Sequence, residues 1–269
     1  QLGLSGAAMF GPDREVLLPA EVLRKKAILV ERGSFRPPTV VNLNMLDCAR
    51  EKFEADPAVA GREILELTEL TMANLLGGGK EVNRRDFLAR ADLLAACGKT
   101  VLISDYVDYF RLAAYLAWRT DGRIGIVMGV PSLSELFREE QFAALPGGIL
   151  ESFGRMFKNS LKLFVYPMLR HLEGTPGDSP EGSSESQVVT VDTLRVDPAL
   201  QPLYDYLAQR GSFVDLDNYV PEFLPIMSRD VLRRIAAGDG EWEHMVPPAV
   251  ADLIKKRHFF DYHPEPVDD

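Results

Sequence analysis

The sequence predicts an α/β fold, with a doubly wound parallel sheet of about five strands and a C-terminal helical part. Short apolar runs, such as residues 27–30 and 100–104, are typical of strands buried on both faces. Segments with the apolar spacing of helices separate these runs along the chain. Strands and helices that alternate in this way indicate parallel pairing with right-handed crossovers and helices on both faces.

The first predicted unit consists of a strand, a glycine turn and a helix. Residues 27–30 are the apolar run, Gly33 and Ser34 form the turn, and helical spacing begins after Thr39. This order directs backbone N–H groups and the positive end of a helix dipole at one point, which suits a phosphate group. Thr39 is equally suited to be the N-cap of an ordinary helix, so the residues alone leave both interpretations open.

The elements that follow continue the alternation. Residues 63–70 predict a second strand, with a helix running on to residue 76 as the alternative. Further strands are predicted at residues 100–104, 123–128 and 161–166. Helices are predicted at residues 86–97, 106–118, 132–144, 149–158, 199–209, 228–237 and 247–256. The aromatic side chains of the helix at 106–118 are predicted to serve packing rather than to hold a cofactor.

Three segments are predicted to lie outside this framework. Residues 1–25 predict an N-terminal arm on the surface with a short turn of helix near residue 20. Residues 174–186 are polar and rich in Gly, Pro and Ser, which predicts a flexible loop. Residues 263–269 predict a short acidic tail. The main domain is therefore expected to span residues 26–262.

The charge of the chain excludes some classes of partner. The formal net charge is -10 and the sequence pI is near 5.0, which argues against nonspecific binding to nucleic acid or to anionic membranes. It does not exclude a nucleotide, which needs only a local cluster of donors. Because no apolar run reaches about 18 residues, we expect no membrane-spanning helix.

Cysteine and histidine usage bears on compartment and metals. The two cysteines, Cys48 and Cys97, predict no disulfide framework and favour a reducing compartment. The four histidines have no Cys or His partners at metal-ligand spacing, so no protein-held metal site is predicted. The first residue is Gln1 rather than Met, and a removed transit peptide is one explanation. We expect the cytoplasm or an organellar (mitochondrial) matrix.

Three motifs in order along the chain resemble one protein family. Residues 33–42 read GSFRPPTVVN, residues 126–137 read IVMGVPSLSELF, and residues 226–238 read IMSRDVLRRIAAG. They resemble the Gly-Ser-Phe-x-Pro opening, the Gly-x-Asp turn and the Ser-Ser-Thr-x-Ile-Arg helix of the nicotinamide/nicotinate mononucleotide adenylyltransferases, in the nucleotidylyltransferase superfamily. Residues 246–260 are similar to the closing Val-Pro segment of that family. The resemblance implies a Rossmann-like nucleotidylyltransferase fold.

The resemblance also implies a reaction and its residues. Such a protein joins the AMP part of ATP to nicotinamide or nicotinate mononucleotide, with Mg2+, to form a dinucleotide and pyrophosphate. Thr39 and Asn42 would lie at the catalytic helix start. The residues implied to bind the nucleotides are Gly33, Ser34, Phe35, Arg36, Gly129, Ser228, Arg229 and Arg233. Arg36, Arg229 and Arg233 would form an anion-binding cluster, for which a solvated helix face is the alternative.

The sequence departs from the family at three positions that carry charge. Asn42 stands where the family has its last histidine, Pro131 where it has the aspartate, and Leu232 where it has the arginine, with Arg233 one place along. Asn cannot become a cation, and losing a positioned donor costs on the order of a hundredfold in rate. Three interpretations follow: a working adenylyltransferase, a nucleotide-binding homologue without turnover, and a structural subunit with protein partners in a larger, mitochondrial or other, assembly.

Overall fold

The computed structural model describes residues 6–72, 84–159, 161–171 and 186–263. The strands are β1 (Ala7–Phe10), β2 (Val16–Leu17), β3 (Ala27–Arg32), β4 (Ile64–Thr71), β5 (Thr100–Ser104), β6 (Ile124–Gly129), β7 (Lys162–Tyr166), β8 (Met168–His171), β9 (Ser186–Val189) and β10 (Phe213–Asp215). The α-helices are α1 (Pro19–Val22), α2 (Val40–Glu54), α3 (Arg84–Ala96), α4 (Tyr109–Arg119), α5 (Val130–Glu135), α6 (Gly148–Met156), α7 (Gln201–Gln209), α8 (Ser228–Ala237) and α9 (Pro248–Arg257).

One mixed sheet of eight strands forms the centre, in the order β10-β7-β6-β3-β4-β5-β1-β2. The six strands from β10 to β5 pair in parallel, and β1 and β2 add antiparallel to the edge at β5. Counted along the chain, the parallel strands have the order 3-2-1-4-5-6 that defines a doubly wound, Rossmann-like sheet. The predicted fold class is thus confirmed, although the prediction of about five strands was too low.

Helices cover both faces of the sheet because successive strand residues point to opposite sides. On one face, Leu29 packs with Leu46 and Phe53 of α2. On the other face, Val30 belongs to the large cluster that includes side chains of α4, α6 and α7. The C-terminal helices α8 and α9 pack against α3, where Leu93 lies in one cluster with Val231, Ile235 and Val250.

The second predicted strand is confirmed as β4, which lies between β3 and β5, so the alternative helix to residue 76 is excluded. The first residues of the chain differ from the prediction. Residues 7–17, assigned to a surface arm, form β1 and β2 instead, and Met9 is fully buried in the core. The short helix near residue 20 is present as α1. Sheet pairing through β5, far along the chain, decides this structure, and local spacing does not reveal it.

In place of the helix predicted at residues 132–144, the structure has two shorter helical elements. Helix α5 ends at Glu135, and a 3-10 helix follows at Glu139–Phe142 after Arg138, whose backbone is extended. The predicted loop at 174–186 lies outside the described residues except at Ser186, where β9 begins. Of the acidic tail, only His263 is described. Within the described ranges, every helix is too short or too polar to cross a lipid bilayer.

Gly125 in β6 provides a test of the packing between the sheet and its neighbours. A Cβ atom there would lie 2.8 Å from Cε2 of Phe164 and 2.9 Å from Cδ1 of Leu29, both of which are fully buried. We expect Gly125→Ala to lower the free energy of unfolding by about 1–3 kcal/mol because the core must shift to admit the methyl group. Urea denaturation at neutral pH measures the effect.

Gly154 in α6 is the matched control, because a Cβ atom there would have no neighbour within 4 Å. Gly154→Ala should raise stability by roughly 0.5–1 kcal/mol through helix propensity. Equal urea midpoints for the two variants would contradict this account of β6.

Candidate functional site

The order of the parallel strands reverses between β3 and β6, and in doubly wound sheets such a reversal marks a crevice at the carboxyl ends of the strands. The last residues paired between these strands are Glu31 and Val127. Gly33 and Gly129 each lie two residues beyond that pair, so they flank the crevice. Helix α2 starts after the first glycine at Val40, and Gly129 is the N-cap of α5. Ligands of doubly wound sheets bind at this position.

The turn at Gly33 is supported from inside the protein by Phe35. The ring of Phe35 is only 2% exposed and packs with Leu70 and Ile103. It lies so close to the backbone of Gly33 that a Cβ atom there would be 3.0 Å from Cζ of the ring. Phe35 itself has a left-handed backbone with φ of 45°, which is unusual for a bulky residue. The turn therefore buries Phe35 and exposes Ser34.

Thr39 and Asn42 meet at the start of α2. Thr39 is the N-cap, and its backbone N–H and its hydroxyl each donate to Oδ1 of Asn42 over 3.0 Å. The amide Nδ2 of Asn42 donates to Oε1 of Glu31 at 2.6 Å. Asn42 therefore holds the helix start to the end of β3.

Glu31 was not identified from the sequence, although it lies at the centre of this arrangement. Its side chain is 1% exposed, and its Oε2 atom has no hydrogen-bond partner within the described part of the chain. Burial raises the pKa of Glu31 to about 8, against the opposing effects of Asn42 and Lys99. At neutral pH the crevice therefore has an uncharged acid beneath the first turn of α2. The alternation of side chains along β3 places Glu31 on the same face of the sheet as Leu29. It does not reveal that the carboxyl group of Glu31 is buried.

Arg32 points to the opposite face and is held by protein groups. Its Nε donates to Oε2 of Glu69 at 2.6 Å, and its two terminal nitrogens donate to the carbonyl oxygens of Tyr106 and Val107, each at 2.6 Å. Ser104 donates to the other oxygen of Glu69 at 2.5 Å. The guanidinium of Arg32 therefore holds the segment before α4 against the sheet.

Arg36, which was predicted to bind phosphate, is paired with Asp86 of α3. Its Nε donates to Oδ1 of Asp86 at 2.6 Å. The same carboxylate pairs with Arg90, whose Nη1 donates to the carbonyl oxygen of Ser34 at 3.2 Å. Arg36 also lines a polar cavity of about 180 Å3 together with Arg85. These contacts fasten the Gly33 turn to α3 and leave Arg36 on the wall of a small cavity.

The remaining predicted residues lie on α8. The helix begins at Ser228, as predicted, and Arg229 is exposed on its first turn. Arg233 is 76% exposed and pairs with Asp230 of the same helix at 2.9 Å. Arg36 and Arg233 thus have different carboxylate partners. An anion-binding cluster around the Gly33 turn remains a prediction, because these contacts do not join its members.

Comparison with protein-family models and with curated protein sequences finds no match for this chain. The described residues contain no group of three or more His, Cys, Asp or Glu side chains arranged to hold a metal ion. Pro131, at the position of the family's aspartate, lies in the first turn of α5 and supplies no carboxylate there.

The buried acid predicts an unusual dependence of stability on pH. Because the pKa of Glu31 is raised in the folded state, unfolding releases its proton between about pH 4.5 and 8, and stability falls as the pH rises through this window. Glu31→Gln removes the ionisable group and therefore this loss of stability with rising pH. Between pH 5 and 8.5, we expect the variant to lose less stability than the wild type by a few kcal/mol, since one pKa unit corresponds to about 1.4 kcal/mol.

Urea denaturation at the two pH values measures the difference. Glu63, an exposed partner of Lys26, is the control. Glu63→Gln should change stability by less than about 1 kcal/mol, and equally at both pH values. Parallel pH profiles for the wild type and Glu31→Gln would show that Glu31 is ionised in the folded protein.

Proposed function

We propose that this chain binds a nucleotide through its phosphate groups at the crevice between β3 and β6, and that it does not transfer the adenylyl group at enzymatic rates. The observation that carries the proposal is the reversal of strand order at the point where the Gly33 turn and the first turn of α2 meet. The first turn of a helix has N–H groups that the helix itself does not use, and its dipole favours an anion.

The local chemistry supports binding of a phosphate. Ser34 is exposed on the turn and offers a hydroxyl to a ligand. Glu31 lies below the helix start, and an ionised carboxylate there would repel a phosphate. Because burial raises the pKa of Glu31 to about 8, this repulsion is absent at neutral pH.

The same contacts argue against rapid adenylyl transfer. Charge that develops on the leaving pyrophosphate is stabilised by positioned cations and donors. Arg32 is paired with Glu69, Arg36 shares Asp86 with Arg90, and the side chain of Asn42 is bonded to Thr39 and Glu31. Mg2+ would accompany the triphosphate as its counter-ion, bound chiefly through phosphate oxygens. Where the family that the motifs resemble has a cation, Asn42 supplies only a neutral amide.

Ser34→Glu tests where the phosphate binds. We expect this variant to bind ATP with Mg2+, or nicotinamide mononucleotide, about tenfold more weakly, because a charge near 4 Å from a phosphate costs about 1–4 kcal/mol. Calorimetry measures the affinity. Ala60→Glu is the control. Ala60 is exposed in the turn before β4, so it lies where the parallel strands begin, at the end of the sheet opposite the crevice. Absence of saturable nucleotide binding by the wild type would contradict the proposal.

A second candidate is the active adenylyltransferase that the sequence motifs suggest. The start of α8 at Ser228, where the resemblance puts the phosphate-binding motif, favours it. In this case Asn42 would be the main deficiency, and a histidine there would face Glu31, whose ionised form would stabilise an imidazolium.

Asn42→His separates the two candidates in an assay of dinucleotide formation from ATP, Mg2+ and nicotinamide mononucleotide. Because Arg32 and Arg36 are already held in ion pairs within the protein, we expect both the wild type and Asn42→His to stay at background. Asn44→His is the control on the same helix. Product from Asn42→His alone, or from the wild type, would establish the second candidate. No response in either the binding or the turnover assay would leave the structural subunit.

A further inference from the structure

A groove runs between α4 and α6 on the outer side of the helices that cover the second face of the sheet. Its volume is about 1080 Å3, and the outer side of α4 forms most of its wall, with Arg155 and Lys158 from α6 and the turn that follows. We refer to this surface as the α4–α6 groove. It contains none of the residues that flank the crevice between β3 and β6, so it constitutes a separate surface.

Aromatic rings form the apolar part of the groove. Phe110, Tyr115 and Trp118 follow one another along α4, and Trp118 is 77% exposed. The guanidinium of Arg119 lies 4.5 Å from the ring centroid of Trp118 and 5.3 Å from that of Tyr115. These stacked contacts hold the indole in place before any ligand arrives, which lowers the entropic cost of binding.

Cationic side chains form the rest of the wall. Arg111, Arg119, Arg155 and Lys158 line the groove, and no carboxylate is among the described residues that line it. Arg111 and Arg155 pair with carboxylates of their own helices, whereas Arg119 and Lys158 form no ion pair with any residue that the structure describes. A chain with a net charge of -10 thus has a positive groove on one face.

Arg119 adds an unused hydrogen-bond donor beside Tyr115. Tyr115 is buried, which raises the pKa of its hydroxyl, and the neighbouring guanidinium of Arg119 opposes this by hydrogen bonding to it. Nε of Arg119 has no hydrogen-bond partner among the described residues, so this N–H is suited to an anionic acceptor. The groove therefore combines ring faces with donors for carboxylates.

We propose that the α4–α6 groove binds an acidic segment of a partner protein, with carboxylates on Arg119 and Lys158 and an apolar side chain on the exposed ring of Trp118. Tryptophan, tyrosine and arginine are the residues that dominate binding energy at protein interfaces. The eight steps along the helix from Phe110 to Trp118 span about 12 Å, which matches about four residues of an extended segment. A long polyanion would also meet the acidic remainder of the chain, so the charge distribution favours a short segment.

The two tryptophans of the chain make the groove directly observable. Trp242 is 1% exposed, so Trp118 accounts for the quenching of tryptophan fluorescence by acrylamide. The probe is a short synthetic peptide of alternating glutamate and leucine. We expect it to shift the emission to shorter wavelength and to reduce the quenching in a saturable way. Added salt should weaken the binding, because exposed charges are screened.

Lys158→Glu should weaken binding of this peptide about tenfold, because it replaces an attractive contact with a repulsive one. Lys256→Glu, an exposed residue of α9, makes the same change of charge outside the groove and should alter the affinity by less than about twofold. Anisotropy of a labelled peptide extends the measurement to Trp118→Ala, which should also bind more weakly.

Several results would overturn the proposal. One is equal affinity for a peptide with lysine in place of glutamate. Another is an equal loss of affinity for the acidic peptide in Lys158→Glu and Lys256→Glu. A third is that phosphatidylserine vesicles or oligothymidylate reduce the quenching of Trp118 whereas the acidic peptide does not. No nucleotide enters the experiments with the peptides, so their outcome is independent of whether the crevice binds one.

Discussion

The pairing of β3 with β4 on one side and β6 on the other is the constraint on which the rest of the structure depends. This central position buries β3 on both faces and both edges, so its last two side chains must find partners inside the protein. Glu31 does so through Asn42, and Arg32 through Glu69. The first contact determines where α2 begins, and the second determines where the chain lies before α4.

The crevice and the groove differ in electrostatic character. Near the crevice, Arg32 pairs with Glu69 and Arg36 shares Asp86 with Arg90, while the buried Glu31 is uncharged at neutral pH. At the groove, Arg119 and Lys158 remain without carboxylate partners among the described residues. Tyr106 has a contact on each side, because its carbonyl oxygen accepts a hydrogen bond from Arg32 and the residue also lines the groove. Tyr106 thus connects the two surfaces, although they differ in the charge that they present to a ligand.

Much of the fold could be predicted because its signals are local. The apolar runs of β3, β5, β6 and β7 identify buried strands, and α8 ends as predicted at Gly238, whose left-handed backbone suits glycine. Strands β1 and β2 were missed because β1 pairs with β5, about ninety residues along, and β2 joins the sheet only through β1. The site was predicted only in part for the same reason. The position of the Gly33 turn follows from its neighbours in sequence, whereas Arg36 meets Asp86 fifty residues away, and no local pattern records that pairing.

The strands at the two borders of the sheet bear on how copies of this protein behave at high concentration. β2 has two residues and β10 has three, so each border offers few unpaired backbone groups to another molecule. Parallel sheets with long, regular borders can template the addition of strands from neighbouring chains and grow into fibrous aggregates. Short border strands remove that template, so the eight-stranded sheet resists the growth that its long central strands would otherwise promote.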